Sequence, residues 1–152
     1  VAVFTFSIQS QAETAQSLSL GDLTITGNVG RISSKGDSRY LMMVFLAITD
    51  LLDGVRELIL NDSIQGYEFI GIDGSFRIHF QKKSPTLIVI KAFGRVISQE
   101  TPTQLVQELW KSIQDFVSGY RGRFENTDTG VEDLDASIQN FSQAFANLLR
   151  DT

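Results

Sequence analysis

Residues 40–61 read YLMMVFLAITDLLDGVRELILN. The first nine, Tyr40 to Ile48, are all apolar. A membrane span needs roughly 20 such residues in a row. Asp50 and Asp53 end this run well short of that, so a span is rejected. The spacing of Leu41, Val44, Phe45, Ile48, Leu52, Val55 and Ile59 predicts a helix. Asp50, Asp53, Arg56, Glu57 and Asn61 share its other face, with Met42, Met43 and Leu46 on that face one or two turns earlier. The helix is therefore expected to be amphipathic in its second half and apolar all round in its first. A helix apolar all round is buried on all sides. A sheet is expected to cover one side of residues 40–48 and another helix the other.

The flanking sequence supplies the sheet. Residues 2–9 alternate, with Phe4, Phe6 and Ile8 facing one way and Val3, Thr5, Ser7 and Gln9 the other, the pattern of a strand with one buried face. Residues 10–19 are polar and read as a loop. Residues 20–27 form a second strand, with Leu23 and Ile25 inward and Asp22, Thr24 and Thr26 outward. The two are expected to pair antiparallel, as adjacent strands usually do. Residues 28–39, NVGRISSKGDSR, raise a phosphate loop, but no Gly-Lys-Ser/Thr is present and no helix opens directly on a Gly-rich turn. They read instead as a mobile crossover, with Asp37 or Ser38 capping the long helix.

After a turn at residues 61–65 comes GYEFIGIDGSFRIHFQKK, residues 66–83. Asp73-Gly74 lies between two alternating runs, a signal for a two-residue type I′ hairpin. That turn sets Ile72 opposite Ser75, Ile70 opposite Arg77 and Glu68 opposite His79. On the other face, Gly71 opposes Phe76, Phe69 opposes Ile78 and Tyr67 opposes Phe80. The second face is expected to pack on the long helix. Residues 82–85 read as the next turn. Residues 86–93, TLIVIKAF, have the near-continuous apolar character of a central strand covered on both faces, with Lys91 its one charge. Residues 94–98 continue as a short edge segment.

Thr101-Pro102-Thr103-Gln104 opens a helix, with Thr101 as N-cap, Pro102 at N1 and Gln104 completing a capping box. Leu105, Leu109, Ile113 and Phe116 form its stripe, broadened by Val106, Trp110 and Val117. Residues 120–130 read as a polar loop. Thr129 and Glu132 repeat the box spacing before a last helix with Ile138, Phe141, Phe145, Leu148 and Leu149 as its stripe. The expected architecture is one α+β domain over residues 1–152, in the order ββαβββαα. A mainly antiparallel sheet packs on one long apolar helix, with C-terminal helices.

Composition narrows the function. A chain of 152 residues is long enough for one domain with a real core. The net charge of −5 argues against a general nucleic-acid binder, which carries a basic face. With no cysteine there is no disulfide, thiolate metal site or cysteine nucleophile, which is compatible with a reducing cytoplasm. Residues 1–8 lack a basic stretch and a long apolar region, so they are not read as a signal peptide.

No residue constellation specifies a reaction. His79 is the only histidine, which excludes a two-histidine metal site. A carboxylate beside it, Glu68, could orient it for general-base work, but a plain cross-strand polar pair explains the same spacing. Asp50, Asp53 and Glu57 read as a solvated helix face, since Arg56 sits among them. Glu125, Asp128, Glu132, Asp133 and Asp135 crowd one helix start. Against a calcium loop, Asn126 and Asp128 fit two places, but Gly130 falls at the fifth position instead of the sixth and the bidentate Glu is missing. Acidic residues at a helix N-terminus already have a reason in the macrodipole. The run Gly119 to Arg123 is too short to read as RNA binding. Asn61-Asp62-Ser63 and Asn140-Phe141-Ser142 match the glycosylation acceptor, which matters only in a secreted protein. No catalytic residue, metal ligand or cofactor is assigned.

The layout of strands, one very apolar helix, a hairpin carrying Tyr67, Phe69 and Asp73-Gly74-Ser75-Phe76, and a helical C-terminal part is similar to small bacterial α+β proteins. Among these are immunity-type proteins that neutralise partner toxins. The likeness runs from about residue 20 to residue 120 and rests on layout, with no diagnostic motif and no functional residue to carry over. It implies a cytoplasmic protein binder without catalysis, whose acidic charge suits a basic partner. On this reading the partner-binding residues are Glu68, Arg77 and His79, with Ser75 and Lys91 nearby. The alternative is a small-molecule binder or enzyme using the same polar sheet face, which requires a concave apolar pocket beside Glu68, Arg77 and His79. Self-association through the sheet edge or the Trp110 helix stays open. Neither nucleic acid nor membrane is expected as a partner.

Overall fold

The computed structural model describes residues 1–9, 15–71, 74–125 and 127–150. The alternating start of the chain becomes two strands, β1 (Val3–Ile8) and β2 (Leu20–Thr26), paired antiparallel. Phe4 opposes Ile25, Phe6 opposes Leu23, and all four are buried. Thr24, expected outward, is buried, and its hydroxyl lies 2.7 Å from that of Ser33. That contact exists because the crossover is itself part of the sheet. Its residues Arg31–Ser33 form β3, antiparallel to β2.

The long helix begins later than its apolar run. Ser38–Tyr40 is a single 3-10 turn, and Asp37 caps this turn by accepting from the Arg39 amide. Met42–Met43 form β4, pairing with Leu20 and Gly21 of β2. The helix α1 is Val44–Leu60. Neither Asp37 nor Ser38 caps it. Met43 is its N-cap and makes no side-chain bond, while the Val44 amide donates to Ser19 O at 3.1 Å. The backbone of the residue preceding β2 thus satisfies a donor that the sequence assigned to a side chain.

α1 is covered as expected for its composition. It touches β5 and β2 and packs along α3 (Thr129–Ala144). Val44, Phe45, Ala47, Ile48, Leu51 and Leu52 are buried, while Leu46 and Met43 are only half-buried. The apolar first half is therefore enclosed on all sides but one.

Beyond α1 lies a second antiparallel sheet in the order β5-β6-β7-β8, made of Gly66–Ile70, Arg77–Ser84, Leu87–Ala92 and Arg95–Glu100. β7 is central; its Ile88, Ile90 and Ala92 are buried on the core face with Ile78 and Phe80, and Val89 is buried among its neighbours on the other. β8 is a full six-residue strand where the sequence suggested a short edge segment. β6 runs on through Lys82 to Ser84, which moves the turn to Pro85-Thr86.

The two sheets meet at residues 27–30. The amides of Val29 and Gly30 both donate to Ile97 O, at 3.0 and 2.9 Å. The Asn28 side chain donates to Gln99 O and accepts from the Gln99 amide, at 2.8 and 3.1 Å. This asparagine continues a strand-like ladder across the junction, and the amides of Asn28, Val29 and Gly30 are engaged in it.

α2 (Pro102–Ser118) has both bonds of the expected capping box. The cap of α3 is Asp128, not Thr129. α3 ends at Phe145, and a last turn, α4 (Ala146–Leu149), follows. Phe45 joins the layers, with its ring 5.5 Å from Phe116, 5.7 Å from Tyr120 and 4.8 Å from Phe124. One contiguous core runs through both sheets and the helices. No helix among the described residues is long and apolar enough to cross a membrane. The fold is α+β with antiparallel sheets, in two sheets rather than one.

Candidate interaction surface

The hairpin β5–β6 has the expected register, with Glu68 opposite His79, Ile70 opposite Arg77 and Phe69 opposite Ile78. The Gly71 amide donates to Phe76 O at 2.7 Å, which extends the same register toward the turn. Gly74 has φ +81° and its amide donates to Gly71 O at 3.0 Å. The ladder closes at the bonded Gly71–Phe76 pair, out of phase with the two-residue type I′ turn expected at Asp73-Gly74, although the residue pairing along the strands is the expected one. Ile72 and Asp73 lie outside the described residues.

Period-two geometry divides this sheet cleanly. Phe69, Ile78 and Phe80 are buried beneath it, whereas Glu68, Arg77 and His79 are exposed on the other face. Lys91 of β7 lies beside His79, so Glu68, His79 and Lys91 form one row across three strands. Ser75 is exposed at the hairpin end.

Within the row, Glu68 is committed to Arg77. Arg77 Nη1 donates to Glu68 Oε1 at 2.8 Å, and Arg77 Nε donates to Gly74 O at 2.8 Å. His79 makes no side-chain hydrogen bond among the described residues. Its ring lies over Gly66, where an added Cβ would come within 3.3 Å of His79 Cε1. The carboxylate weighed as an orienting group for the imidazole is therefore turned to the arginine. Four clefts, between α1 and β5, between β1 and α2, beside Trp110 and at the 3-10 turn, are lined by other residues than Glu68, Arg77, His79 and Lys91. Among the described residues, no group of three or more acidic or histidine side chains is placed to hold a metal ion.

A second polar contact escaped the sequence reading. Tyr67, on the buried face of β5, donates its hydroxyl to Asp50 Oδ2 of α1 at 2.8 Å. Its ring reaches that far because α1 has Gly54 there; a Cβ on Gly54 would lie 2.1 Å from Tyr67 Cε1. Loss of water around the pair raises the Asp50 carboxyl above its usual range, against the pull of the tyrosine bond, and the charge of Asp53 adds to the rise. The same burial, with the Asp50 charge, pushes the Tyr67 hydroxyl up, so it stays a donor. The signal in the sequence was the isolated glycine inside a helix, which marks a close approach.

The acidic cluster is a clasp in the fold. Asp128 Oδ1 accepts from Ser17 Oγ at 2.6 Å and from the Gly130 amide at 3.0 Å, and Oδ2 accepts from the Ser17 amide at 2.7 Å. The Ser17 bonds hold the Asp128 carboxyl below its ordinary 3.8. Arg121 pairs with Asp135. Asn126 lies outside the described residues. Trp110 stacks on Phe141 with ring centroids 5.9 Å apart, so one face of the indole is already covered by α3.

Comparison with protein-family models, curated proteins and solved structures finds no match to this chain.

Proposed function

We propose that the protein is a non-enzymatic protein-binding domain, of an immunity-like or regulatory kind, acting in the bacterial cytoplasm. Its docking surface is the open face of the second sheet. One observation carries this reading: Glu68, Arg77, His79 and Lys91 share one regular face of the sheet, the first three exposed and Lys91 half-buried, and none of the four clefts named above is lined by them. Flat polar faces with a fixed arginine suit macromolecular partners, whereas small ligands need concavity. Arg77 is the strongest anchor, since arginine is enriched at interface hot spots and this one is held in place at both Nη1 and Nε.

Charge refines the partner. The net −5 belongs to the whole chain. This face has one carboxylate, already paired, against Arg77 and Lys91, so the surface that complements it is acidic or neutral. A basic partner fits the exposed carboxylates that α1 and α3 carry, Asp50 and Glu57 on the one and Glu132, Asp133 and Asp135 on the other.

The test uses the purified protein as bait against extract of its native host, beside a Glu68→Ala/Arg77→Ala/His79→Ala variant with an unchanged melt. Wild type is expected to capture a defined protein that the variant loses. Equal capture by both overturns the face. A metabolite panel that raises the wild-type melting temperature, but not that of the variant, favours the small-molecule reading.

A further inference from the structure

The outer edge of β5 lies next to this face. β5 ends the second sheet, and hydrogen bonds at its two ends fix which backbone groups point outward. Lys82 N donates to Gln65 O, and Gly71 N to Phe76 O. Antiparallel pairing alternates, so Tyr67 and Phe69 address β6, while Gly66, Glu68 and Ile70 turn their N–H and C=O groups away from the sheet. None of those groups has a partner among the described residues. Edge strands are normally blunted by lysine, proline, a bulge or a covering element. β5, GYEFI, has no lysine, proline or bulge. The opposite edge, β8, is engaged by residues 28–30.

Beside this edge is a cleft of about 210 Å³ walled by Met43, Leu46, Ala47, Phe69, Ile70 and Asp50. It is too small for a drug-sized ligand, which needs roughly 300 Å³ or more, and suits a single side chain. Ile70 is 47% exposed at its lip. Asp50 marks the polar end. Oδ2 holds the Tyr67 hydroxyl, and Oδ1 has no partner among the described residues.

We infer that the β5 edge and the α1 cleft together receive an extended segment of a partner protein as an added strand, with an apolar side chain in the cleft and a lysine or arginine at Asp50. Strand addition draws affinity from main-chain bonds and specificity from pockets for alternate side chains, and both parts are present here. A strand added at about 4.8 Å from β5 passes along the flank of α1 that presents Leu46 and Asp50. Charge selects the occupant. A second copy of this chain, paired with full overlap, brings two Asp50 carboxylates to the same interface, where like charges repel. A basic side chain of a partner segment meets Asp50 favourably, since Glu68 is already paired with Arg77. The inference shares with the proposed function only that the partner is a protein, since it uses the edge and not the open face.

The experiment selects binders from a displayed library of random 12-residue peptides, then measures the best synthetic peptide by fluorescence anisotropy and by amide exchange. Selected peptides are expected to alternate apolar and polar residues and to include a lysine or arginine. Binding should slow exchange at the Gly66, Glu68 and Ile70 amides. Ile70→Pro removes an outward N–H without touching the β5–β6 ladder, and should weaken binding about tenfold or more. Asp50→Lys should do the same. Arg77→Ala/His79→Ala should leave the peptide affinity unchanged, which separates this edge from the open face. Three results overturn the inference: no peptide selected, peptides indifferent to both Ile70→Pro and Asp50→Lys, or a dimer in sedimentation that Ile70→Pro dissolves.

Discussion

Gly54 carries a consequence out of proportion to its size. Glycine inside an exposed helix is worth roughly 1 kcal/mol less than alanine, so Gly54→Ala looks stabilising from sequence. Here the added Cβ meets the Tyr67 ring at 2.1 Å, and the ring is held in place by the bond to Asp50. Overpacking costs about 1–3 kcal/mol and outweighs the propensity gain, so the variant should be less stable in urea denaturation. An increase in stability would mean the ring can move aside. Asp128 is the second such residue, since it caps α3 and holds Ser17 with the same carboxylate. Asp128→Ala should cost about 1–2 kcal/mol, as loss of a good cap does. Its native carboxyl titrates below 3.8, its unfolded value. The unfolded chain therefore binds the proton more readily, and stability rises with pH through that window. This contribution is complete above about pH 4 and is lost as pH falls through the depressed native value. Acid titration of Asp128→Asn, followed by circular dichroism, should show a shallower loss of stability below pH 4 than wild type.

At the scale of elements, α1 is the test of the core. Ile48 and Phe45 are fully enclosed, whereas Asp53 is partly exposed and lies 3.5 Å from Arg56. Ile48→Asp should leave no cooperative melt, because an unpaired charge buried at that site is costly. Asp53→Ala should stay within about 0.5 kcal/mol of wild type, as surface changes do. An unshifted melt for Ile48→Asp is incompatible with the position of α1. The β5–β6 hairpin and the α2 capping box were legible because each is closed by residues a few positions apart. The start of α1 was not, because apolar residues suit a buried strand and a buried helix alike. Met42 and Met43 satisfy the hydrophobic pattern of α1, yet their backbone pairs with Leu20 and Gly21. Only the partner strand decides between the two.

For the whole molecule, the acidic cluster gives a check on metal dependence. Asp128 and Asp135 already have protein partners in Ser17, Gly130 and Arg121. Dialysis against a chelator should leave the melting temperature unchanged, and a drop of several degrees restored by one divalent ion would refute that. The chain by itself determined the α+β class, the hairpin register and the polar face of Glu68, Arg77, His79 and Lys91. Those features follow from periodicities of 2 and 3.6 and from turn and cap chemistry, which act over a few residues. Tertiary structure alone decided the division into two sheets, the bridge from Asn28 to Gln99 across 71 positions and the Tyr67–Asp50 contact. Each depends on groups far apart in the chain whose hydrogen bonds must be satisfied somewhere once they are buried. Local pattern says that a donor needs an acceptor; packing of the complete fold chooses which one.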